Sequence, residues 1–400
     1  MNILFLTLYP ISNISERGIY TDLMREFNRH GHKIHIVIPA ERRFHLATGI
    51  KESEGVNILR VRTLNIQKTN LIEKGLGTLL LEYQYQRAIY KYWKDIKFDL
   101  ILYSTPPITF NRVVASVKKC CGAKTYLLLK DIFPQNAVDL GMFSKSSFIY
   151  KLFRKKEERL YRLSDYIGCM SPANVEYILR HNSLMTAEKV EVCPNSIELD
   201  EEESNYDNDH LLQKLNIPTD KLLFIYGGNL GRPQGIDFLI NVLATNEKRT
   251  DTYFIVVGNG TEYVKIAQWF RNNSPHNSCL ISSLPKQEYD DLVGTCDVGL
   301  IFLDNRFTIP NYPSRLLSYL ENRMPVLMAT DMNTDIGSIA EKNGYGLWTE
   351  SGNLDTFMEM VEFIAMNREK LKLMGEKGYD YLKNNYTVER AYWIIMKHFQ

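Results

Sequence analysis

The stretch with the clearest chemistry is residues 222–235, LLFIYGGNLGRPQG, in which glycines follow an apolar run and precede a helical pattern. Gly227 and Gly228 lack Cβ atoms, so a ligand can approach the backbone amides closely. Asn229 follows them, and Arg232 adds a cation whose forked donors suit a diphosphate. A strand, a glycine turn and a helix start in this order predict a phosphate site. A tight structural turn with a solvated arginine is the alternative.

Two further segments carry residues of related chemistry. Ser314 and Arg315 precede the apolar-periodic run LLSYLENR, which predicts a hydroxyl, a guanidinium and helix-terminal amides at one place. Asp131 follows the apolar run TYLLL, with Lys130 directly before it. A carboxylate at a strand end can orient a substrate hydroxyl or accept its proton. A turn-capping Asp131 and a surface Arg315 are the alternative interpretations.

Apolar runs alternate with amphipathic helical patterns along nearly the whole chain. One series runs from NILFLTL to KVEVCPN, and a second begins at KLLFIYGG. Apolar runs without polar alternation are typical of parallel strands covered on both faces. We therefore predict an α/β fold with two Rossmann-like, doubly wound domains, residues 1–200 and 201–378, whose strand ends face a central cleft.

The acidic stretch ELDEEESNYDNDH, residues 198–210, is predicted to connect the two domains. It contains Asp207, Asn208 and Asp209, which have the spacing of a DxD metal–nucleotide motif. Such a motif should follow a buried strand, whereas this one lies in a solvated charge run. No metal site is predicted there.

Composition places the chain among ordinary globular proteins. The 400 residues are 44% hydrophobic and 24% charged, and no apolar run reaches the length of about 18 residues that a membrane-spanning helix needs. Six cysteines without CxxC spacing favour free thiols and a reducing cytosol. Residues 1–200 hold 29 Lys and Arg against 20 Asp and Glu, a net charge of +9, which leaves −8 for the second half.

The quoted glycine segment resembles the diphosphate loop of the GT-B retaining glycosyltransferases of glycosyltransferase family 4. The likeness is closest to the branch that adds N-acetylfucosamine-type sugars in O-antigen and capsule assembly. It extends in order over about 380 residues, through RGIYTDLMREFNRHGHKIHIVIP, LLLKDIFPQNAVDLGMF, CPNSIEL, VVGNG, LPKQEYDDLVGTCDVGLI and YPSRLLSYLENRMPVLMAT.

The resemblance implies a GT-B fold with an N-terminal acceptor domain, a C-terminal nucleotide-sugar domain and a last helix, residues 379–400, that crosses back to the first domain. It implies catalytic roles for Asp131, Arg232 and Arg315, and acceptor-side positions for Arg17, Tyr20 and Lys130. The implied donor-binding residues are Gly18, Gly227, Gly228, Asn229, Arg232, Ser314, Arg315 and Ser318. Two arginines would offset the charge of the departing nucleoside diphosphate, so neither a metal ion nor another cofactor is expected.

The sequence departs from the family pattern near the donor. Ser318 stands where the family carries the glutamate that binds the donor ribose, and Pro310 stands where a paired acidic motif would have its other glutamate. Gln234 replaces a lysine before the loop glycine, and the later segment reads ENRMP without its glycine. Ser318 can still hydrogen-bond one ribose hydroxyl, but the charge-assisted contact is gone.

We expect transfer of a sugar, an N-acetylated hexosamine or deoxyhexosamine, from a UDP-sugar to a polyprenyl-diphosphate-linked glycan with retention at the anomeric carbon. A nucleotide-sugar epimerase on the same fold and a non-catalytic GT-B partner subunit are the alternatives. No nucleic-acid partner is expected. A nicotinamide dehydrogenase is disfavoured because the first strand runs into YPISNISERG and not into a G-x-G-x-x-G turn.

The lipid-linked acceptor and the basic N-terminal half predict a cytoplasmic protein that docks on the inner face of the cytoplasmic membrane. Residues 147–163 place Phe148, Ile149, Leu152, Phe153 and Leu160 among basic residues. Residues 79–97 combine tyrosines with Lys and Trp. Aromatic and basic helices of this kind suit an anionic headgroup layer. Amphipathic helices that cover the sheet are the alternative, and they are favoured for 79–97.

Overall fold

The computed structural model describes residues 1–66, 69, 71–199 and 208–399, with the backbone alone at 71, 72, 74, 208 and 209. The chain forms two compact units, residues 1–198 with 387–400, and residues 199–386. Most of the predicted connection, including Asp207, lies outside the described residues.

The first unit is built on an eight-stranded sheet in the order β3-β4-β2-β1-β5-β6-β7-β8. Its strands are β1 (Asn2–Leu6), β2 (Lys33–Glu41), β3 (Gly49–Ser53), β4 (Val56–Thr63), β5 (Leu100–Ser104), β6 (Lys124–Leu129), β7 (Tyr166–Cys169) and β8 (Val190–Val192). All neighbouring strands are parallel except β3 and β4, which form an antiparallel hairpin at one edge. The apolar runs did not predict this hairpin. Its turn is formed by Glu54 and Gly55, both of which have positive φ.

The helices of the first unit cover both faces of this sheet. They are α1 (Ile19–Arg29), α2 (Leu71–Trp93), α3 (Asn111–Cys121), α4 (Gln135–Asp139), α5 (Phe148–Leu163) and α6 (Pro172–His181). Phe5 packs with α1 in the core on one face, and Leu4 and Leu6, which point to the opposite face, are also fully buried. This double burial explains why the strands are continuous apolar runs.

The second unit is a six-stranded, all-parallel sheet in the order β11-β10-β9-β12-β13-β14. Its strands are β9 (Leu222–Asn229), β10 (Thr252–Asn259), β11 (Ser278–Ile281), β12 (Val298–Phe302), β13 (Val326–Thr330) and β14 (Gly346–Glu350). Its helices are α7 (Asn208–Lys214), α8 (Ile236–Asn246), α9 (Tyr263–Asn273), α10 (Lys286–Thr295), α11 (Arg315–Glu321), α12 (Ile336–Asn343), α13 (Leu354–Met366) and α14 (Arg368–Asn385). This strand order is that of a Rossmann sheet, and its switch point lies between β9 and β12.

The C-terminal segment differs from the prediction for residues 379–400. Residues 379–385 continue α14 in the second unit, and the unit boundary falls between Tyr386 and Thr387. The Thr387 side chain accepts a hydrogen bond from the Arg390 amide and caps a new helix, α15 (Val388–Met396), which packs on α1. The physical reason for the difference is this cap, which starts a second helix within the predicted one.

Candidate functional site

The glycine loop closes β9 at the switch point of the second sheet. Gly228 is exposed and has a φ of 122°, which favours glycine because it lacks a side chain. The chain then makes a single 3-10 turn over Arg232–Gln234 and enters α8 through Gly235, whose φ is 56°. The predicted sequence of strand, glycine turn and helix is therefore present at this place.

The guanidinium of Arg315 lies directly beside this loop, although Arg315 begins a different helix, α11. A Cβ atom at Gly228 would be 3.5 Å from Arg315 Nη2 and 3.6 Å from its Cζ. The guanidinium stacks on the Tyr226 ring at 4.3 Å from the ring centroid, and its Nη2 donates to Gln234 Oε1 at 3.0 Å. Its Nη1 is buried and has no acceptor among the residues that the structure describes. The predicted cation Arg315 therefore lies at the predicted glycine loop, and its Nη1 has no acceptor among the described residues.

Arg232 has a different environment from Arg315. Its side chain is 60% exposed, and its Nε lies 3.5 Å from Glu262 Oε1. An exposed ion pair at this distance contributes little to stability, so the side chain keeps its freedom to move. Arg232 is therefore an exposed, loosely paired cation at the loop, whereas Arg315 is held by Tyr226 and Gln234.

Tyr289 and Tyr319 support the glycine loop from two helices, and neither was predicted. The Tyr319 hydroxyl accepts from the Gly227 amide at 3.3 Å and lies 3.2 Å from the Ile225 carbonyl oxygen, so it ties α11 to β9. The Tyr289 phenol, from α10, fills the space beside Gly227 where a Cβ would project. Burial raises the pKa of Tyr289 to about 12, so this phenol is neutral at physiological pH.

The remaining donor-side candidates lie on the same two segments. Ser314 is exposed at the start of α11, and its hydroxyl makes no capping hydrogen bond there. Ser318 lies one turn after Arg315 on α11 and is partly exposed. Asn229 is exposed at the end of β9, and its backbone carbonyl accepts from the Tyr226 hydroxyl at 2.7 Å. The positions leave these side chains accessible near Arg315.

The candidates around the first loop of the first unit have mainly structural contacts. The Gly18 amide donates to Asp22 Oδ1 at 2.8 Å, and Arg17 Nη2 donates to the Glu198 carbonyl oxygen at 2.7 Å. Tyr20 was predicted on the acceptor side, but it is only 7% exposed and its ring packs 5.3 Å from that of Phe5. The apolar stripe of α1 turns this ring into the core, and an acceptor-side position for Tyr20 stays a prediction.

Lys130 and Asp131 lie at the carboxyl end of β6, and burial affects both. Burial raises the pKa of Asp131 to about 6, although its Oδ1 accepts from Asn136 Nδ2 at 2.8 Å. Burial lowers the pKa of Lys130 to about 8, and its Nζ donates to the Cys193 carbonyl oxygen at 3.2 Å. Desolvation moves both groups toward their neutral forms, which is common at sites that transfer protons.

Among the described residues, no group of three or more His, Cys, Asp or Glu side chains is arranged to hold a metal ion. Within the same part of the chain, no helix is long and apolar enough to span a membrane.

Comparisons with known proteins agree with this geometry. Residues 207–381 match the family model Glycosyl transferases group 1. The chain is 23% identical over 293 residues to the Probable glycosyltransferase WbjE of Pseudomonas aeruginosa. This alignment covers 70% of this chain and 68% of WbjE. It is also 23% identical over 281 residues to WcaI of Escherichia coli K12, which is named for glycosyl transfer in colanic acid biosynthesis. This alignment covers 66% of this chain and 65% of WcaI, slightly under two thirds of that protein.

Solved structures give the same fold. Anabaena Alr3699/HepE, solved in complex with UDP-glucose, matches with a TM-score of 0.72 and 16% identity over 100% of this chain and 99% of its own. WaaG, a glycosyltransferase involved in lipopolysaccharide biosynthesis, matches with a TM-score of 0.66 and 13% identity over 98% and 99% of the two chains. The predicted GT-B fold class is therefore confirmed. The group 1 match falls on the second unit, and both curated relatives are named as glycosyltransferases.

Proposed function

We propose that this protein transfers a sugar from a UDP-sugar to a lipid-linked glycan in the assembly of a bacterial surface polysaccharide, with retention at the anomeric carbon. The observation that carries the donor half of the proposal is the guanidinium of Arg315 beside the exposed backbone of Gly228, with Nη1 free to donate. A diphosphate bound at the glycine loop would lie beside Nη2 and Nε of this guanidinium and would offer an acceptor to the buried Nη1. A diphosphate suits such a planar fork.

The reaction requires charge stabilisation on the departing UDP. When the bond from the anomeric carbon to the β-phosphate oxygen breaks, negative charge grows on that oxygen. Arg315 is already desolvated and held in place, so it would stabilise this charge without reorganisation. Arg232, which is exposed, would add a second positive charge, and the two arginines together would make a metal ion unnecessary.

On the acceptor side we propose that Asp131 orients the attacking hydroxyl and takes its proton late in the reaction. A pKa of about 6 leaves the carboxylate mostly ionised at neutral pH while making it a better base than an exposed aspartate. Lys130 would supply a cation for the acceptor diphosphate. Arg17 and Gly18 would border the same region, and Ser318 would bind a donor ribose hydroxyl.

We also propose that the first unit docks on an anionic membrane through α5. Phe148 is 78% exposed and Ile149 is 50% exposed at the start of this helix, and Lys151 and Lys155 are exposed beside them. Leu160 is fully buried, so the exposed apolar side chains of α5 lie in its first half, whereas Arg159 and Arg162 are exposed in its second half. Lys156 pairs with Glu82 of α2 at 3.0 Å, which places α2 next to α5.

The direct test is a transfer assay with UDP-hexoses and UDP-N-acetylhexosamines, a short-chain polyprenyl-diphosphate-linked sugar as acceptor, and detection by mass spectrometry. We expect a product one sugar heavier, and NMR of the new linkage should show the anomeric configuration of the donor. A matched reaction without acceptor separates the alternatives. Conversion of the donor sugar in that reaction would indicate an epimerase, and no turnover and no UDP binding would indicate a non-catalytic partner subunit.

A further inference from the structure

We infer that Gln234 is a positioning residue that fixes the Arg315 guanidinium for the donor diphosphate and does so without cancelling its charge. The inference rests on the proposed function, because it concerns the same diphosphate. It assigns a role to a residue that the sequence pattern presents only as the loss of a lysine.

Gln234 and Tyr226 together hold one edge and one face of the Arg315 guanidinium. Gln234 Oε1 accepts from Arg315 Nη2 at 3.0 Å, and the Tyr226 hydroxyl lies 3.4 Å from the same oxygen. The Tyr226 ring supports the flat face of the guanidinium. With one face and Nη2 held, the guanidinium keeps Nη2 and Nε beside Gly228 and leaves the buried Nη1 without an acceptor among the described residues.

The chemistry of position 234 follows from these contacts. A lysine would place an ammonium against the guanidinium, and two like charges in a desolvated site repel strongly. A glutamate would hold Arg315 in the same place but would neutralise it before any ligand arrived. A glutamine accepts the hydrogen bond and carries no charge, so Arg315 stays both fixed and cationic.

The hydrogen bond between Gln234 and Arg315 gives a physical reason for a glutamine at position 234. The resemblance implies a lysine at 234, whereas in this chain the guanidinium of Arg315 lies at the loop and Gln234 accepts from it. The amide at 234 is then the group that this arrangement requires. The backbone helps, because the 3-10 turn over Arg232–Gln234 points the side chain at α11.

The experiment compares Gln234→Glu and Gln234→Met with the wild type by isothermal titration calorimetry, using UDP, inorganic pyrophosphate and uridine. Gln268→Glu, on the exposed surface of α9, is the matched control for the added charge. We expect Gln234→Glu to weaken UDP and pyrophosphate binding at least 10-fold and Gln234→Met to weaken both several-fold. Uridine binding and the melting temperature of the ligand-free protein should change little, since uridine carries no phosphate.

The outcomes separate this inference from the proposed function. If the wild type binds pyrophosphate but not UDP, the UDP donor is contradicted, and the comparison of variants with pyrophosphate still decides the role of Gln234. Equal affinity of wild type and Gln234→Glu for pyrophosphate would overturn the inference, and so would a parallel loss of uridine binding, which would indicate a general structural defect. A wild type that binds neither UDP nor pyrophosphate would overturn both proposals.

Discussion

The Tyr289 phenol lies where a side chain at position 227 would have to go, so the end of β9 can pass beneath α10 only with glycine at that position. The Gly227 amide meanwhile donates to Tyr319 Oη at 3.3 Å, from the other supporting helix. Gly227 therefore lies between Tyr289 and Tyr319, and these two contacts fix the position of the glycine loop relative to α10 and α11.

Gly227→Ala should destabilise the protein because the new methyl group overlaps the Tyr289 ring. Overpacking of this kind costs about 1–3 kcal/mol. Urea denaturation should show a lower midpoint, and Gly49→Ala is the control, since nothing lies within 4 Å of a Cβ atom at Gly49. Addition of Tyr289→Ala to Gly227→Ala should cost less than the sum of the two single substitutions. Wild-type stability of Gly227→Ala would contradict this account of the loop.

The two arginines at the loop should differ in their effect on binding. Arg315→Ala removes a fixed, desolvated donor and should raise the Kd for UDP by at least 10-fold. Arg232→Ala removes a side chain that is 60% exposed and shared with Glu262, so the loss should be several-fold smaller. Calorimetric titration of both variants checks the order, with Arg271→Ala on the exposed surface of α9 as the control. A larger effect of Arg232→Ala would mean that the fixed cation is not the main phosphate contact.

Asp131→Asn should change stability in a pH-dependent way. The pKa of Asp131 is raised to about 6 in the folded protein, so the folded state holds this proton more tightly than the unfolded state. Protonated Asp131 contributes its whole share of the free energy of unfolding below the unfolded pKa of about 4. This contribution is lost as the pH rises through 6. Asp131→Asn should therefore be more stable than the wild type at pH 8, with little difference at pH 4.

The control for that comparison is Asp95→Asn, which changes an exposed aspartate of the same unit. The difference in the free energy of unfolding between Asp95→Asn and the wild type should stay constant between pH 4 and pH 8, whereas that of Asp131→Asn should grow. If Asp131→Asn and Asp95→Asn show the same pH dependence of stability, the half-buried carboxylate of Asp131 is not its cause. Loss of transfer activity in Asp131→Asn alone would support the proposed role on the acceptor side.

The α5 surface should determine membrane binding. Phe148→Glu combined with Ile149→Glu places two negative charges on the exposed start of α5, where insertion into headgroups is proposed. Sedimentation with anionic liposomes at low salt should show a loss of bound protein. Met366→Glu, on a side chain of the second unit that is 74% exposed, is the control and should bind as the wild type does. Unchanged binding of the double variant, or no binding by the wild type, would contradict the proposed surface.

The sequence predicted the features that depend on local patterns. The runs of buried strands and the glycine turn at Gly228 are visible because each arises from neighbouring residues, and the cation at Arg315 is visible because it opens an apolar-periodic helix. Tyr289 was not predicted because its importance comes from the packing of α10 against β9, which no local pattern reveals. The Gln234–Arg315 hydrogen bond likewise joins residues 81 positions apart.

The burial of Tyr20 had a signal in the sequence. Tyr20, Leu23, Met24 and Phe27 have the spacing of an apolar helical stripe, and all four are buried in the core of the first unit. The start of the last helix had a weaker sequence signal, because Thr387 is a favoured N-cap residue and its side chain caps α15. In both places the helical pattern was a better guide than position in the chain.

The most direct test of the donor site is a thermal-shift panel with UDP, GDP, ADP, dTDP and CMP on the wild type and on Arg315→Ala. At a concentration 100 times the Kd, binding adds about 2.7 kcal/mol, which corresponds to about 5–10 °C for a unit of this size. We predict a selective rise with UDP in the wild type that is lost in Arg315→Ala and retained in Arg271→Ala. No shift with any of these nucleotides in the wild type, or an equal UDP shift in Arg315→Ala, would contradict a UDP site at Gly228 and Arg315.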